Sequence, residues 1–372
     1  MEKKDLHITF LLAAFSVGGA QSVMVNLANN LANKGIKIDF LVADNSGPFS
    51  NKLDTRVNLI DLKTKRISRS LFAVTKYLKV VKPNILFCTQ KHTNILACIS
   101  KMLSRTPIKL VLRESSTPSV QYLNSTKKEK FIYQIAKLFY PIADYFIGQS
   151  IGLTNDCISF YRIPKNKIKS IVNPIISKKI FELSKETCDH PWINSNTPIL
   201  ISIGRICVAK DFETLIRAFS IVRKKKNCKL IILGNIEPKE IHLFERLKKL
   251  ISQLGLEQEI SFPGFQQNPF SYLTNTNVYV LSSVYEGLPG ALIQAMALGC
   301  NVVSTDCPNG PREIISRGES GILVPVKDYE GLAKGILHHL SNPHIPKYDL
   351  SIYEEENATQ EYLNTFNALC AY

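Results

Sequence analysis

The sequence predicts two α/β domains, each built around a doubly wound parallel sheet with helices on both faces. The chain has 372 residues, which suits two domains of ordinary size better than one continuous core. Apolar runs of strand length alternate with helical patterns through both halves, and this alternation is typical of parallel sheets. A composition that is 45% hydrophobic, with a mean hydropathy of +0.00, is that of a soluble globular protein.

The first domain is predicted to cover residues 1–172. Helical patterns separate its apolar runs, so these runs are predicted to be parallel strands of one sheet. The predicted strands are residues 6–14, 36–43, 84–88, 108–112 and 145–148, and the main helices are residues 21–33, 70–81 and 94–104.

The second domain is predicted to cover residues 173–352 and to repeat the scheme. A hinge is expected within residues 171–175, because the residue before Pro174 is disfavoured in a helix. A last helix is predicted over about residues 353–372. The other predicted elements are strands at residues 199–203, 230–233, 260–262, 278–281 and 301–304, and helices at 211–225, 239–254, 289–298 and 328–340.

The net charge of +15 is unevenly spread. Residues 1–172 contain 26 Lys and Arg against 10 Asp and Glu, whereas residues 173–372 contain 20 against 21. A one-sided basic field indicates an anionic partner: nucleic acid, an acidic membrane surface or a pyrophosphate-linked substrate. Nucleic acid ranks last, because no recognised binding module is present. A lysine excess that only reflects genome composition is the alternative.

Cysteine usage and the early apolar run bear on the compartment. Nine cysteines without a C-x-x-C pair predict reduced thiols in a cytosolic protein, with no metal role. The apolar run at residues 8–17 is too short to span a bilayer and lacks a signal-peptide cleavage site.

The most informative segment follows the predicted strand 278–281. It brings Glu286 onto a turn formed by Gly287, Leu288 and Pro289. Pro289 is predicted to open a helix, a position where its missing N–H costs little. The free N–H groups of that helix face the edge of the sheet where α/β domains bind ligands. Because amides can bind phosphate and Glu286 can accept hydrogen bonds from hydroxyls, the segment suits a nucleotide sugar.

This segment resembles the donor motif of the family-4 retaining glycosyltransferases. The resemblance implies the GT-B architecture: two facing Rossmann-like domains, a cleft between them and a C-terminal helix that crosses back to the first domain. The family pattern "EG-P---EAMA-G" has a second Glu where this chain has Gln294. In the family the first Glu contacts sugar hydroxyls and the second holds the ribose, which implies these roles for Glu286 and Gln294. The amide in place of a carboxylate is expected to weaken donor binding by about 1 kcal/mol.

Gly204, Arg205 and Lys210 follow the first strand of the second domain and resemble the family's "GR----K-----LI-AF". Arg205 can bind a diphosphate bidentately, and Lys210 can place a point charge nearby. Together they are expected to stabilise the departing nucleoside diphosphate, so Arg205, Lys210 and Glu286 are predicted as catalytic residues. The alternative for the cations is a solvated pair at a strand end.

Three further segments complete the predicted donor site. Gly18 and Gly19 lie between the first strand and the first helix and resemble the family's "GGAE" loop, with Gln21 in place of the Glu. Phe265 follows a strand that packs on the nucleobase in the family. Glu313 lies in a segment similar to the family's "DCP-GPREI" loop near the donor sugar, although a helix-start acid stabilised by the helix dipole explains it equally.

His92 and the pair Arg113-Glu114 lie at or beyond strand ends of the first domain. Topology places them on the cleft side, where they could contact acceptor or sugar. His92 is therefore included among the predicted catalytic residues, with a structural histidine as the alternative.

Residues 124–140 interleave four lysines with aromatic residues. A basic, aromatic amphipathic helix can lie in a membrane interface, although a core-facing helix with a lysine-rich exposed side fits equally. With the charge bias, this segment predicts contact between the first domain and an anionic membrane surface.

The resemblance implies a retaining glycosyltransferase that moves a sugar from a nucleotide-sugar donor, UDP-sugar first, to a lipid-linked or envelope saccharide such as O-antigen or capsule. No Asp-x-Asp element is present, so a metal-independent enzyme without a cofactor is expected. Its expected location is the cytoplasm, peripherally at the inner face of the plasma membrane. Two alternatives remain: a catalytically weak partner subunit, favoured by Gln294 and Gln21, and a nucleotide-sugar 2-epimerase on the same fold.

Overall fold

The computed structural model describes residues 6–15, 19–47, 49–193, 195–318, 321–342, 344 and 346–371. The chain divides into two compact units. The first unit consists of Met1–Pro174 with Ile352–Tyr372, and the second of Ile175–Ser351. The chain therefore leaves the first unit once, after Pro174, and returns to it for its last residues.

The first unit contains a parallel sheet flanked by helices. Its strands are β1 (His7–Ala14), β2 (Lys37–Asp44), β3 (Asn58–Asp61), β4 (Ile85–Thr89), β5 (Lys109–Glu114), β6 (Tyr145–Gly148) and β7 (Ile168–Ser170). Its helices are α1 (Gly19–Asn33), α2 (Leu71–Val81), α3 (Lys91–Ser104), α4 (Pro118–Leu123), α5 (Lys127–Phe139) and α6 (Ile151–Tyr161). The strand order is β3-β2-β1-β4-β5-β6-β7, so the order reverses between β1 and β4.

The central strands of this sheet are buried, because their apolar side chains pack against helices on both faces. Phe10 of β1 stacks on Phe40 of β2 with ring centroids 5.6 Å apart, and it meets Phe87 of β4 edge-on at 5.3 Å. Aromatic pairs in these arrangements add to the energy of burial alone. Helix α5 starts at a capping box in which Thr126 and Glu129 satisfy each other's backbone N–H groups, which fixes its first turn.

The second unit repeats the architecture with six strands. Its helices are α7 (Lys178–Leu183), α8 (Phe212–Lys225), α9 (Ile241–Leu254), α10 (Phe270–Leu273), α11 (Gly290–Ala297), α12 (Pro311–Ile315) and α13 (Tyr329–Ser341). Its strands are β8 (Ile199–Ile203), β9 (Lys229–Leu233), β10 (Ile260–Gly264), β11 (Val278–Leu281), β12 (Asn301–Thr305) and β13 (Ile322–Val324). They are parallel in the order β10-β9-β8-β11-β12-β13.

The last helix, α14 (Glu355–Cys370), belongs to the first unit. Tyr362 and Phe366 are fully buried in the same core cluster as β1 and β4, and the ring centroid of Phe366 lies 5.4 Å from that of Phe87. On its exposed side, Lys34 and Lys169 pair with Glu356 and Glu361. The helix is therefore held by aromatic burial, with ion pairs at its rim.

The predicted doubly wound sheets are confirmed, and each predicted strand overlaps an observed one. The prediction missed β3, β7 and β13. These strands have three or four residues, and most of their side chains are partly exposed, so they lack the apolar run that marks the central strands.

The charge balance of the units differs from that of the sequence halves, because Ile352–Tyr372 brings four acidic residues to the first unit. The first unit has 26 basic and 14 acidic residues, and the second has 20 and 17. Most of the excess of basic residues therefore lies in the first unit. Among the described residues, no helix combines the length and apolar character needed to cross a bilayer.

Candidate active site

The candidate site lies at the carboxyl edge of the second unit's sheet. Strands β8 and β11 are paired neighbours, although β9 and β10 separate them in sequence. The strand order reverses at this pair, and open α/β sheets bind ligands at such a switch point. The segments that leave the two strands, residues 204–210 and 282–289, therefore meet at one edge.

Lys210, Ser283 and Glu286 form a polar cluster at this edge. The Nζ atom of Lys210 donates to Oε1 of Glu286 at 2.6 Å, and the hydroxyl of Ser283 donates to the same oxygen at 2.6 Å. The Lys210 and Glu286 side chains are 19% and 14% exposed, so solvent screens the pair only in part. The sequence predicted the lysine and the carboxylate but missed Ser283.

Backbone contacts tie the two segments together around this pair. The hydroxyl of Ser282 donates to the carbonyl oxygen of Lys210 at 2.7 Å. The N–H of Val284 donates to the carbonyl oxygen of Ala209 at 2.8 Å. The lysine and the carboxylate thus have a fixed backbone spacing, as a preorganised site requires.

Two glycines allow the close approach of these segments. A Cβ atom on Gly204 would lie 2.6 Å from Cε of Lys210, so the lysine side chain crosses the backbone where the predicted glycine stands. A Cβ atom on Gly234, after β9, would lie 1.9 Å from the carbonyl oxygen of Gly204. Gly234 was missed by sequence reasoning, because a single glycine after a strand has many explanations.

The turn after Glu286 packs against the loop that follows β12. Gly287, Leu288 and Pro289 are buried. A Cβ atom on Gly310, whose φ is +99°, would lie 2.6 Å from Cδ of Pro289, which explains the glycine there. The structure corrects one local prediction: Pro289 is the N-cap residue, and α11 begins at Gly290.

Arg205 lies apart from the Lys210–Glu286 pair. Its side chain is 63% exposed, and Nη1 lies 2.5 Å from Oε1 of Glu237. Sequence reasoning missed Glu237, which follows β9 without any motif. Arg205 is thus solvent-accessible at the same edge, with a carboxylate partner that an anionic ligand could replace.

Two predicted residues of the first unit, Gly19 and His92, each lie at the start of a helix. Gly18 lies outside the described residues, and Gly19 is the first, exposed residue of α1. His92 lies in the first turn of α3. Burial, and next the charge of Lys91, lower the pKa of His92, so the neutral imidazole is favoured at neutral pH.

Arg113 and Glu114 are buried within the first unit. Nη2 of Arg113 donates to the side-chain oxygens of Gln149 at 2.9 Å and Asn173 at 2.5 Å. The Tyr140 hydroxyl donates to Glu114 at 2.6 Å, and burial raises the pKa of Glu114. The expectation that this pair contacts acceptor or sugar is therefore wrong: both side chains point into the unit and bond there.

Two models of protein families match the sequence of this chain. The sequence model described as "Glycosyltransferase Family 4" matches residues 17–178, and the model "Glycosyl transferases group 1" matches residues 186–358. The chain belongs to the family-4 glycosyltransferases. The family expected from the motifs is thereby confirmed.

One relative is similar to this glycosyltransferase in sequence, and two solved structures share its fold. An N-acetylgalactosamine-N,N'-diacetylbacillosaminyl-diphospho-undecaprenol 4-alpha-N-acetylgalactosaminyltransferase of Campylobacter jejuni is 29% identical over 78% of this chain and 74% of its own length. Sucrose-phosphate synthase from Thermosynechococcus elongatus has the same fold, with a TM-score of 0.82, 18% identity and coverage of 98% of this chain and 99% of its own. Anabaena HepE in complex with UDP matches with a TM-score of 0.75, 17% identity and coverage of 98% of both chains.

The remaining predicted donor residues of the glycosyltransferase lie along the same edge of the second unit. Gln294 is half-buried on α11, where the family motif has its second Glu. Phe265 is exposed directly after β10, and Glu313 is half-buried in α12. Within the described part of the chain, no three His, Cys, Asp or Glu side chains are grouped as they would be to hold a metal ion.

Proposed function

We propose that this glycosyltransferase moves a sugar, with retention at the anomeric carbon and without a metal ion, from a UDP-sugar to a lipid-linked saccharide acceptor in polysaccharide assembly. The observation that carries the proposal is the Lys210–Glu286 pair at the switch point of the second unit. It combines a cation with a hydroxyl acceptor, as a nucleotide sugar requires.

The charges at this edge suit the departure of a nucleoside diphosphate. Lys210 supplies a fixed, mostly buried cation, and Arg205 supplies an exposed guanidinium that can bind phosphate oxygens bidentately. Negative charge grows on the diphosphate as the glycosidic bond breaks, and preorganised cations stabilise that charge. In this proposal the two residues do the work that a metal ion does in other transferases.

Glu286 has a binding role in this mechanism. Its Oε1 atom already accepts from Lys210 and Ser283, and its carboxylate can accept further hydrogen bonds from sugar hydroxyls. Retention is carried over from the family, as a front-face reaction in which the leaving phosphate assists the incoming hydroxyl.

The acceptor and the location are proposed from the relative and from charge. The name of the Campylobacter jejuni relative includes diphospho-undecaprenol. The first unit has 26 basic against 14 acidic residues, which would favour an anionic membrane surface. We therefore place the enzyme in the cytoplasm, peripherally at the inner face of the plasma membrane, with no nucleic-acid partner.

A donor panel tests the proposal. The purified chain is incubated with UDP-, GDP-, ADP- and dTDP-sugars in the presence of EDTA, and thermal stabilisation and sugar release are measured. One donor should stabilise the protein and be hydrolysed slowly, and Lys210→Ala and Glu286→Ala should lose both effects. Arg217→Ala, which breaks an exposed ion pair with Glu213 on α8, is the matched control and should behave as wild type.

The partner-subunit alternative is favoured by Gln21 and Gln294, two amides at positions where the family has Glu. Gln294→Glu separates the two functions. In an enzyme, the substitution should restore a charged contact to the ribose, so the variant should bind its donor more tightly than wild type does. A chain that responds to no donor, even with membrane lipid and with Gln294→Glu, would be a partner subunit instead.

A further inference from the structure

The first unit contains a groove to which the proposed transfer mechanism assigns no role. It has a volume of about 500 Å³ and lies between the start of α2, α3 and α5. Its apolar lining includes Leu96, Ile99 and Ile135, and its polar lining consists of Arg66, Ser68 and His92. Its volume falls within the range of about 300–1,000 Å³ that is typical of small-molecule sites.

The groove has a polar end and an apolar end. Helix α3 starts directly after β4, so His92 in its first turn lies at the carboxyl edge of the sheet, where doubly wound domains bind ligands. Ile99 lies seven residues further on, about 10 Å along the helix axis. A ligand in the groove would therefore have a polar group at the sheet edge and an apolar chain extending away from it.

The groove opens onto an exposed apolar stripe of α5. Phe131, Ile135 and Leu138 follow one another at spacings of four and three, so they share one face of the helix. Ile135 lines the groove, whereas Phe131 and Leu138 are 66% and 71% exposed. The stripe thus extends the apolar lining of the groove to the protein surface.

Charge around the groove complements an anionic amphiphile. Arg66 is exposed at the polar end. Lys127, Lys128 and Lys130 lie in the first turns of α5, next to the exposed stripe. Basic residues beside exposed apolar ones are typical of surfaces that contact anionic lipid.

We propose that the groove binds the first isoprene units of the lipid-linked acceptor, with the acceptor's diphosphate at Arg66 and His92. The proposal rests on the proposed function for the acceptor being lipid-linked. The volume of about 500 Å³ leaves room for a branched chain in the groove. Its branched lining side chains suit a methyl-branched chain.

Binding of farnesyl diphosphate to the full chain tests the groove. Isothermal titration is carried out with saturating UDP, so that nucleotide sites do not bind the diphosphate. Ile99→Trp fills the groove and should weaken binding at least tenfold. Met102→Trp, at an exposed position three residues further along α3, is the matched control and should stay within twofold of wild type.

The polar end is tested separately. Arg66→Gln should weaken farnesyl diphosphate at least fivefold and leave farnesol binding unchanged, because only the diphosphate meets the guanidinium. Circular dichroism checks that each variant is folded. If Ile99→Trp does not fold, Ile135→Glu replaces it, since a carboxylate in the groove would repel both chain and diphosphate.

Two results would overturn the proposal that the groove binds the isoprene units of the acceptor. One is equal binding of farnesyl diphosphate by wild type and by a folded groove variant. The other is tighter groove binding of oleoyl lysophosphatidic acid, which would assign the groove to membrane acyl lipid. UDP-sugar hydrolysis, measured in parallel, separates this test from the proposed function. Hydrolysis without groove binding refutes the groove alone, and groove binding without turnover of any donor refutes the transfer reaction alone.

Discussion

Both units have charged side chains at the carboxyl edge of their sheets, but the two edges differ in how far those side chains are exposed to solvent. In the first unit, Arg113 and Glu114 end β5 and are buried, with their hydrogen bonds directed to Gln149, Asn173 and Tyr140. In the second unit, Lys210 and Glu286 lie in segments that follow neighbouring strands, and their side chains are partly exposed. Topological position alone therefore does not make a charged residue functional; access to a ligand does.

Glycine accounts for part of this difference. The second unit has Gly204 and Gly234 where its segments cross, and a Cβ atom at either position would clash with neighbouring atoms. The backbones approach closely there, and charged side chains are held at the surface of the edge. Arg113 lies within a strand instead, so its side chain points into the packed layer beside the sheet.

The largest expected effect is on catalysis at the second edge. Lys210→Ala should lower turnover of the best donor by about 10² to 10³, the usual cost of removing one preorganised charge from an active site. Steady-state kinetics with and without added acceptor measure the loss. Undiminished turnover in this variant would remove the distinction between the two edges.

The next effect is on stability at the first edge. Arg113→Met should lower the free energy of unfolding by about 3 kcal/mol, because it leaves buried polar partners without their hydrogen bonds. Urea unfolding followed by circular dichroism measures the change. Arg56→Met, at an exposed position, is the control and should unfold at nearly the wild-type midpoint. A lost donor response in folded Arg113→Met, without any loss of stability, would instead make Arg113 a functional residue.

A smaller effect is expected for the exposed guanidinium of the second edge. Arg205→Ala should raise the KM for donor about tenfold, as for the loss of one charge-assisted hydrogen bond. The effect should shrink at high salt, because the side chain is solvated. Glu237→Gln, which removes its carboxylate partner, should lower KM instead. A KM that neither variant changes would place Arg205 outside donor binding.

The smallest effect concerns pH and Glu114. Burial raises the pKa of this carboxyl, so its contribution to stability is fully present below the unfolded pKa and is lost as pH rises through the folded pKa. Glu114→Gln keeps an acceptor for the Tyr140 hydroxyl and removes the titrating group. Its unfolding midpoint should therefore fall less than that of wild type as pH rises from 4 to 8. Parallel profiles for the two proteins would contradict this assignment.

Prediction from sequence succeeded where the signal is local. The apolar runs of β1, β8 and β11 were found, because central strands of a parallel sheet are buried on both faces. The long helices α1, α3, α8 and α9 were found as well, whereas α6 (Ile151–Tyr161) was not predicted. Short edge strands such as β3 and β13 were missed, since their half-exposed residues carry no such pattern. The motif residues Glu286 and Lys210 were found, but their partner Ser283 was not singled out, because only a folded chain shows that its hydroxyl reaches Glu286.

The sequence by itself determined the family, the two-sheet fold and the identity of the cation and carboxylate at the second edge. These follow from hydrophobic periodicity and from motifs in which spacing along the chain stands for position at a strand end. Only the tertiary structure decided which charges stay accessible: it buried Arg113 and Glu114, paired Arg205 with Glu237 and left a groove beside His92. Burial of a residue depends on side chains from elements far apart in sequence, and no local sequence pattern encodes their combined effect.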